Sequence, residues 1–298
     1  MREIQEITIN DRKYPEKLKR IKNPPFKLYA IGNVDLLNKQ SLAIIGTRHI
    51  TEYGIKNCQY FTQKLVEKDI PIVSGMAIGT DTIAHKTTLK YGGETIAVLG
   101  SGFEHIFPKE NYTLFENIIE SGGLVITEYE KNIYPQSERF LQRNRIVSGL
   151  SEGVLIIEAG YRSGTSVTAS LAYSQGKIVM ALPGRLDSKY GVGVNKLIQD
   201  GAKLITNVND ILINFPQFEN KKWKKNQEIK QSTLFVDKKY QEIVEILSNK
   251  TLSVEEIVQQ TKEKNLRKVL NLLIDMELDN IVTQEIGVGY KLLWINVN

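Results

Sequence analysis

The stretch ERFLQRNR combines an aromatic ring with three guanidinium groups within eight residues. Guanidinium groups donate hydrogen bonds in a fork that fits phosphate oxygens. A phenylalanine ring offers a surface on which an unpaired base can stack. If a helix begins near Phe140, then Arg139, Arg143 and Asn144 share one face, whereas Arg145 points elsewhere. These side chains favour the binding of a single strand of nucleic acid, since a duplex keeps its bases stacked on one another. The alternative is that Phe140 is a core residue.

Small polar residues and glycines follow the apolar runs of the sequence and provide loops suited to anions. Backbone N–H groups at such positions, next to a helix N-terminus, bind phosphates. Glycines also end strands in α/β proteins that bind no anion, so only the convergence of several such loops favours a site. The candidate residues are Gly46, Thr47, Arg48, Ser74, Gly75, Gly100, Gly102, Ser163, Gly164 and Thr165.

The elements that position these residues follow from hydrophobic patterning. Near-continuous apolar runs, most ending at or near glycine, are typical of strands covered on both faces of a parallel sheet. Amphipathic stretches between the runs predict helices. The alternation predicts an α/β fold, a Rossmann-like doubly wound sheet. The predicted strands lie in SLAIIG, IPIVSG, ETIAVLG, GLVITEY, GVLIIEA and KIVMALPG, and the predicted helices cover 52–68, 80–91, 109–121, 140–150, 165–175 and 193–200.

Charge and composition divide the chain of 298 residues into four parts. Residues 1–40 form a short N-terminal extension with nine basic and five acidic residues, and residues 41–215 form the Rossmann-like domain with seventeen of each. Residues 216–237 lack apolar periodicity and predict a basic linker around Trp223. Residues 238–298 predict three helices and a β-hairpin, a small winged-helix domain with Ser253 as an N-cap. Its eight basic and nine acidic residues oppose strong duplex binding, so a protein partner is an equal alternative.

Composition excludes several classes of protein. One cysteine, Cys58, rules out an internal disulfide and a cysteine metal cluster. No apolar run approaches the roughly 20 residues of a membrane span, and the N-terminus is too polar for a signal peptide. We therefore expect a cytoplasmic protein without membrane association. The net charge of +5 is weak support for nucleic acid by itself.

Catalytic and cofactor motifs are sparse. After Gly46 the next glycine is Gly54, so the G-x-G-x-x-G turn is missing, as is a P-loop lysine; nicotinamide cofactors and ATP are disfavoured. The three histidines, at 49, 85 and 105, have no metal-ligand spacing. Asp81 is expected to begin a helix as a favourable N-terminal carboxylate. Glu158 either accepts hydrogen bonds from the RSGT loop or acts as an acid in a nucleotide hydrolase.

Taken in order, seven motifs resemble the DNA-processing protein A family (DprA, also called Smf). The resemblance runs from about Tyr14 to Leu212 and rests on YPEKLKRIKNPPFKLYAIGN, AIIGTRHITEYG, IVSGMAIGTDTIAHKTTLKYGGETIAVLGSG, FPKENYTLFENIIESGGLVITEY, FLQRNRIVSGLSEGVLIIEA, RSGTSVTASLAYSQGKIVMALPG and GVNKLIQDGAKLI. The winged helix is also similar to a module that many members carry. The resemblance implies an extended Rossmann-like domain that binds single-stranded DNA, forms a homodimer and loads the RecA recombinase on incoming DNA during natural transformation, without catalysis or a cofactor.

Site residues follow from the resemblance position by position. Arg48 matches the arginine after the first strand, Phe140 matches the aromatic before RNR, and Arg143, Asn144 and Arg145 match RNR itself. Gly46, Ser74, Gly75 and the Ser163-Gly164-Thr165 loop match the DNA pocket. This sequence departs from many members in having Ile78 instead of arginine, Thr47 instead of serine, and only thirteen residues before Tyr14, where a helical module is common.

Two other functions compete with this interpretation. Phosphoribohydrolases have a similar loop after the fifth strand, but they carry a glutamate where this chain has Val167. A transcription regulator would use the winged helix on duplex DNA and the Rossmann-like domain as a nucleotide sensor, which the acidic balance of residues 238–298 disfavours.

Overall fold

The computed structural model describes residues 3–219, 238–248, 250–278, 281–285 and 288–292. The chain divides into two compact units, residues 1–230 and 231–298. Within the described residues, no helix has the length and apolar character that crossing a bilayer requires.

One sheet of nine strands organises the described part of the first unit, in the order β1-β2-β6-β5-β4-β3-β7-β8-β9. The pairs β1–β2 and β2–β6 are antiparallel, and the other pairs are parallel. All six predicted strands form, as β3 to β8, which confirms the mainly parallel Rossmann-like sheet. The strands are β1 Gln5–Thr8, β2 Lys27–Gly32, β3 Leu42–Ile45, β4 Ile72–Ser74, β5 Thr95–Val98, β6 Leu124–Thr127, β7 Gly153–Ile156, β8 Ile178–Ala181 and β9 Lys203–Leu204.

Helices connect the parallel strands, and the six predicted ones are all present. Thr51 caps the first long helix, because its side chain accepts a hydrogen bond from the Gly54 N–H at 3.2 Å. The helices are α1 Glu16–Lys19, α2 Glu52–Glu67, α3 Thr80–Lys90, α4 Tyr112–Glu120, α5 Ser137–Leu150, α6 Gly164–Ser174, α7 Gly191–Gln199, α8 Val208–Leu212 and α9 Pro216–Glu219.

Two hydrophobic cores lie on opposite faces of the sheet. Alternate residues of β3 point to opposite sides: Ala43 and Ile45 pack with α5, α6 and α7, whereas Leu42 and Ile44 pack with α2 and α8. Because β3 to β8 are buried on both faces, their apolar runs in the sequence are nearly continuous. This arrangement leaves the carboxyl ends of the strands as the edge where loops meet.

The structure corrects the expectation that residues 1–40 are an extension outside the domain. Strand β2 pairs with β6, with Ala30 opposite Ile126, and strand β1 pairs with β2. Leu28 and Ala30 are fully buried in the core shared with α5. The segment therefore completes one side of the sheet, and its antiparallel direction explains why it does not follow the strand–helix repeat.

The first four residues of the linker predicted at 216–237 are helical instead. Residues 216–219 form α9, and Phe218 is fully buried against the core beneath α2 and α8. The rest of the predicted linker, including Trp223, lies outside the described residues.

The second unit contains α10 Gln241–Ile246, α11 Val254–Gln260 and α12 Leu266–Leu278, followed by strands β10 Val282–Glu285 and β11 Gly289–Leu292. The two strands are antiparallel, as predicted. Ser253 is confirmed as an N-cap: its hydroxyl accepts from the Glu256 N–H at 3.2 Å, and the Glu256 carboxylate accepts from the Ser253 N–H at 2.7 Å.

Candidate functional site

The direction of the connections changes between β3 and β7, which are neighbours in the sheet. Strand β3 leads through α2 to β4 on one side, and β7 leads through α6 to β8 on the other side. The connections after these two strands run in opposite directions, and in doubly wound sheets this is the position of the crevice that binds ligands. Arg48 follows β3 and Ser163 follows β7, so two of the predicted loops meet at this point.

Arg48 and Phe140 come together at this edge. The guanidinium carbon of Arg48 lies 5.7 Å from the centroid of the Phe140 ring, and the Arg48 side chain is exposed. No salt bridge of Arg48 occurs within the described part of the chain. Phe140 is half-buried on the first turns of α5. Its ring is therefore neither fully exposed, as a stacking platform would be, nor fully buried, as a core residue would be. A cation and a ring face thus lie together, in reach of a common ligand.

Gly100 allows this position of the Phe140 ring. A β-carbon at residue 100 would lie 2.6 Å from Cδ1 of Phe140, which is closer than van der Waals contact permits. The exposed ring of Phe107 lies nearby, with its centroid 5.4 Å from that of Phe140. The loop after β5 therefore fixes where the ring stands.

The loop Gly46-Thr47-Arg48 is held by its backbone. The Thr47 N–H donates to the Glu158 carbonyl at 2.8 Å, and the Thr47 carbonyl accepts from the Thr80 N–H at 3.2 Å. Gly46 and Thr47 are therefore part of the floor of the crevice, and Arg48 projects from it.

The side-chain carboxylate of Glu158, which follows β7, lies at the N-terminus of α2. Its carboxylate accepts hydrogen bonds from the Thr51 N–H at 2.9 Å and from the Thr51 hydroxyl at 2.7 Å, and it is almost fully buried. The expectation that it receives hydrogen bonds from the RSGT loop is wrong; the N-cap of α2 supplies them instead. In Rossmann folds this helix end binds the pyrophosphate, and here a carboxylate of the chain fills it.

Arg143 is buried, contrary to the expectation that it lies with Arg139 at the surface. Its guanidinium donates to the carbonyl oxygens of Gly75 and Val98, at the ends of β4 and β5, and only 4% of the residue is exposed. A β-carbon at Gly75 would lie 2.7 Å from Nη2 of Arg143 and 2.8 Å from Oδ2 of Asp81. The burial is possible because Gly75 has no side chain to exclude the guanidinium.

Asp81 and Arg143 form a buried pair of opposite charge. Burial raises the pKa of the Asp81 carboxyl, and Arg143 opposes that shift. Burial lowers the pKa of Arg143 to about 10, so the group keeps its proton at neutral pH. Asp81 lies in the first turn of α3, as predicted, and also accepts from the Ala77 N–H at 3.3 Å. Both side chains lie next to Gly75, one from α5 and one from α3.

Arg145 points away from Arg143, as predicted, and is held by protein groups. Its guanidinium donates to both carboxylate oxygens of Glu128, at 2.7 and 2.6 Å, and to the carbonyl of Asn23 at 2.9 Å. The Asn144 side-chain oxygen accepts from Nε of Arg143 at 3.3 Å. The RNR motif is therefore engaged mainly inside the fold, and the structure does not bring it to the surface beside Arg48.

The remaining predicted residues line the crevice with different roles. The Ser74 hydroxyl donates to the Ile44 carbonyl at 2.7 Å and is fully buried, and the Gly102 N–H donates to the Ile133 carbonyl at 2.8 Å. Both groups therefore already have hydrogen-bond partners within the protein. Ser163 caps α6 with its backbone, while its buried hydroxyl has no hydrogen-bond partner among the described residues.

The Ser163-Gly164-Thr165 loop lies beside α5. A β-carbon at Gly164 would meet only the Leu141 side chain, at 3.9 Å, and Gly164 is exposed, whereas Thr165 is buried. The first N–H groups of α6 and the Ser163 hydroxyl are therefore close to the helix turn that carries Phe140.

The histidines and the cysteine fall outside any catalytic arrangement of the described residues. His85 is fully buried, with Nδ1 2.7 Å from the Thr95 hydroxyl, and burial lowers its pKa to about 3. Burial raises the pKa of the Cys58 thiol to about 12. In the described ranges, no group of three or more His, Cys, Asp and Glu side chains is placed to hold a metal ion.

Aromatic side chains of the loops are the features that sequence reasoning missed. His105 stacks on Tyr134 with ring centroids 3.7 Å apart, and His49 stacks on Tyr190 at 6.3 Å. Phe107 extends the ring surface of Phe140. The only signal in the sequence was the presence of rings after β3, β5, β6 and β8, at the same edge of the sheet.

Comparisons with known proteins agree on one family. The sequence profile of the family described as DNA recombination-mediator protein A matches residues 5–216. The DNA processing protein DprA of Bacillus subtilis is 40% identical over 215 residues, which are 72% of this chain and 72% of that protein.

Two solved structures are also similar. The X-ray structure of DNA processing protein A from Streptococcus pneumoniae has a TM-score of 0.68 and 39% identity, covering 72% of this chain and 75% of that chain. A structure of DNA processing protein A from Helicobacter pylori, described for its single-stranded DNA binding mode, has a TM-score of 0.64 and 33% identity, covering 73% and 99% of the two chains.

Proposed function

The chain belongs to the DNA recombination-mediator protein A family, and from this premise we propose that it binds single-stranded DNA at the carboxyl edge of its sheet. One observation carries the proposal: the exposed guanidinium of Arg48 lies 5.7 Å from the ring of Phe140 at the crevice between β3 and β7. The single-stranded DNA binding mode described for the Helicobacter pylori relative supports it.

Each part of the crevice has a role in this proposal. Arg48 binds a phosphate, and Phe140 stacks against a base that is not paired. The first N–H groups of α6 donate to a neighbouring phosphate, since anions are favoured at a helix N-terminus. Two sets of residues act indirectly: Gly46, Thr47, Ser74, Gly75, Gly100 and Gly102 shape the floor, and Arg143, Asn144 and Arg145 hold α5 in place.

The proposal includes no catalytic activity. The Glu158 carboxylate is held by two hydrogen bonds from Thr51, which removes it from the role of an acid in a nucleotide hydrolase. Val167 stands where phosphoribohydrolases need a carboxylate. The protein is proposed to protect incoming single-stranded DNA and to load the RecA recombinase on it during natural transformation. The family resemblance supports this role, and it supports a cytoplasmic homodimer.

Residues 238–298 are proposed to form a winged-helix domain, since three helices are followed by an antiparallel hairpin. Helix α12 would be the recognition helix of such a domain. Its described side chains include Arg267 and Lys268 but also Asp275 and Glu277, and Lys268 is paired with Glu263 at 2.7 Å. Residues 238–298 contain eight basic and nine acidic residues, and this lack of a net positive charge favours a protein partner over duplex DNA.

Fluorescence anisotropy with the full chain tests the proposal. We expect tight binding of a labelled oligo-thymidylate, weak binding of a blunt duplex of the same length, and an affinity that falls steeply with salt. Equal affinity for the two forms of DNA would contradict the proposal. Release of a free base from nucleotides would instead favour the phosphoribohydrolase alternative.

A further inference from the structure

A second group of rings and cations lies at the carboxyl ends of β3 and β8. The ring of His49 stacks on that of Tyr190, with centroids 6.3 Å apart and planes inclined by 22°. The amine of Lys189 lies 4.9 Å from the centroid of the same tyrosine ring. Lys189 is exposed and Tyr190 is half-buried, so part of the tyrosine side chain is accessible to solvent.

The loop after β7 adds a further ring and a further cation. Tyr161 is 61% exposed, and the guanidinium carbon of the exposed Arg162 lies 5.2 Å from its centroid. Within the described residues, neither Arg162 nor Lys189 takes part in a salt bridge. The charges of these two side chains are therefore available to an anionic ligand.

The backbone of Tyr190 is fixed to the end of β7. The Ala159 N–H donates to the Tyr190 carbonyl at 2.9 Å, and the Gly193 N–H donates to the Ala159 carbonyl at 3.0 Å. These bonds join the loops after β7 and β8. A ligand that stacks on Tyr190 would therefore meet a position already ordered, at a low entropic cost.

We propose that Tyr190, supported by His49, is a second base-stacking platform for single-stranded DNA, and that Lys189 and Arg162 bind the phosphates next to it. The proposal rests on the function proposed above and extends the path of the strand. Arg48 and His49 are consecutive residues, so the first platform, Phe140, and the second are linked by the loop after β3. An aromatic ring with nearby cations suits a single strand of any sequence, since every base has a face to stack.

The sheet sets the distance between the platforms. Phe140 packs on the loop after β5, and the backbone of Tyr190 is hydrogen-bonded to Ala159 after β7, which lies three strands away. Three intervals of about 4.8 Å give about 14 Å along the edge. At about 3.4 Å per stacked nucleotide, the strand needs about four nucleotides to reach from one platform to the other. A trimer is too short to do so.

A series of oligo-thymidylates from about 3 to about 15 nucleotides tests the proposal on the full chain. With the wild-type protein, we expect the affinity to rise with length and to gain an additional step once the strand reaches Tyr190. Tyr190→Ala should leave the shortest oligonucleotides unaffected and weaken the longest by about fivefold or more. Lys189→Ala should reduce the salt dependence for the long oligonucleotides only.

Two variants control for folding and for the ring. Tyr190→Phe keeps the ring and should bind like the wild type, and Tyr173→Ala removes another exposed tyrosine, on α6, with no expected effect at any length. Identical length profiles for Tyr190→Ala and the wild type would overturn the second platform, as would an equal loss in Tyr190→Phe. If Arg48→Ala and Phe140→Ala bind every length like the wild type, the function proposed above fails instead.

Discussion

The guanidinium of Arg145 pairs with both carboxylate oxygens of Glu128, at 2.7 and 2.6 Å, and so connects α5 to the end of β6. Both side chains are less than one-fifth exposed. This bidentate pair gives Arg145 of the RNR motif a stabilising role in the fold. Substitution of Arg145 and substitution of Arg48 should therefore have different effects on stability and on the salt dependence of DNA binding.

Arg145→Ala is expected to lower the free energy of unfolding by about 2 kcal/mol, because charge-assisted hydrogen bonds contribute about 1.5–3 kcal/mol. Urea denaturation measures this change. The salt dependence of oligo-thymidylate binding should remain that of the wild type. A reduced salt dependence without loss of stability would show that Arg145 contacts phosphate.

Arg48→Ala should act in the opposite way. Because Arg48 is exposed and without a salt bridge in the described chain, we expect unchanged stability, an affinity about tenfold lower, and a plot of log K against log salt that is less steep by about 0.7. Anisotropy titrations at several salt concentrations measure the slope. Arg48→Lys keeps the charge and should restore the slope; a wild-type slope in Arg48→Ala would contradict the assigned phosphate contact.

Phe140→Ala should weaken oligo-thymidylate binding by about 1–3 kcal/mol, the contribution of one stacked base, without changing the salt dependence. Phe140→Tyr keeps the ring as the matched control. Titration at a fixed, moderate salt concentration measures the difference. The stacking role fails if the alanine and tyrosine variants bind with the same affinity.

Gly100→Ala tests whether the position of the Phe140 ring matters. The added β-carbon would lie 2.6 Å from Cδ1 of Phe140, so the ring must move, and we expect weaker binding without any change in charge. Gly160→Ala is the control, since its β-carbon would meet only the Lys189 carbonyl, at 4.0 Å. Comparable affinities of the two variants would argue against a requirement for this ring position.

His85 should make stability depend on pH. Burial lowers its pKa to about 3, whereas the unfolded chain titrates near its usual 6.5, so below pH 6.5 the unfolded state binds one more proton than the folded state. Stability from this group is complete above pH 6.5 and declines as the pH falls towards 3, by about 2 kcal/mol between pH 6.5 and 5. Urea denaturation of the wild type and of His85→Gln measures it; an equal pH dependence in both would contradict the assignment.

The parallel strands β3 to β8 were predictable from the sequence because each is buried on two faces and forms an apolar run. Strands β1 and β2 were missed because they lie at the side of the sheet, run antiparallel to their neighbours and carry partly exposed residues. Helix α9 was missed because the burial of Phe218 depends on α2 and α8, which are distant in sequence.

The candidate site was predictable only in part. A strand end followed by arginine placed Arg48 at the edge, and the structure brings Phe140 to it. Helical spacing alone put Arg143 beside Arg139, but the carbonyl groups of Gly75 and Val98 that receive its guanidinium lie at the ends of β4 and β5, far away in the chain. Hydrogen-bond partners of this kind are set by the tertiary fold, which no local pattern encodes.

The carboxylate of Glu158 at the first turn of α2 also bears on competition for the protein. A free nucleotide at the dinucleotide position would bring its phosphates close to the Glu158 carboxylate, which is part of the protein and is held there by Thr51. We therefore expect weak binding of mononucleotides at this helix end. The proposed single-stranded ligand, which contacts the protein at several points along the strand ends, does not depend on this helix end.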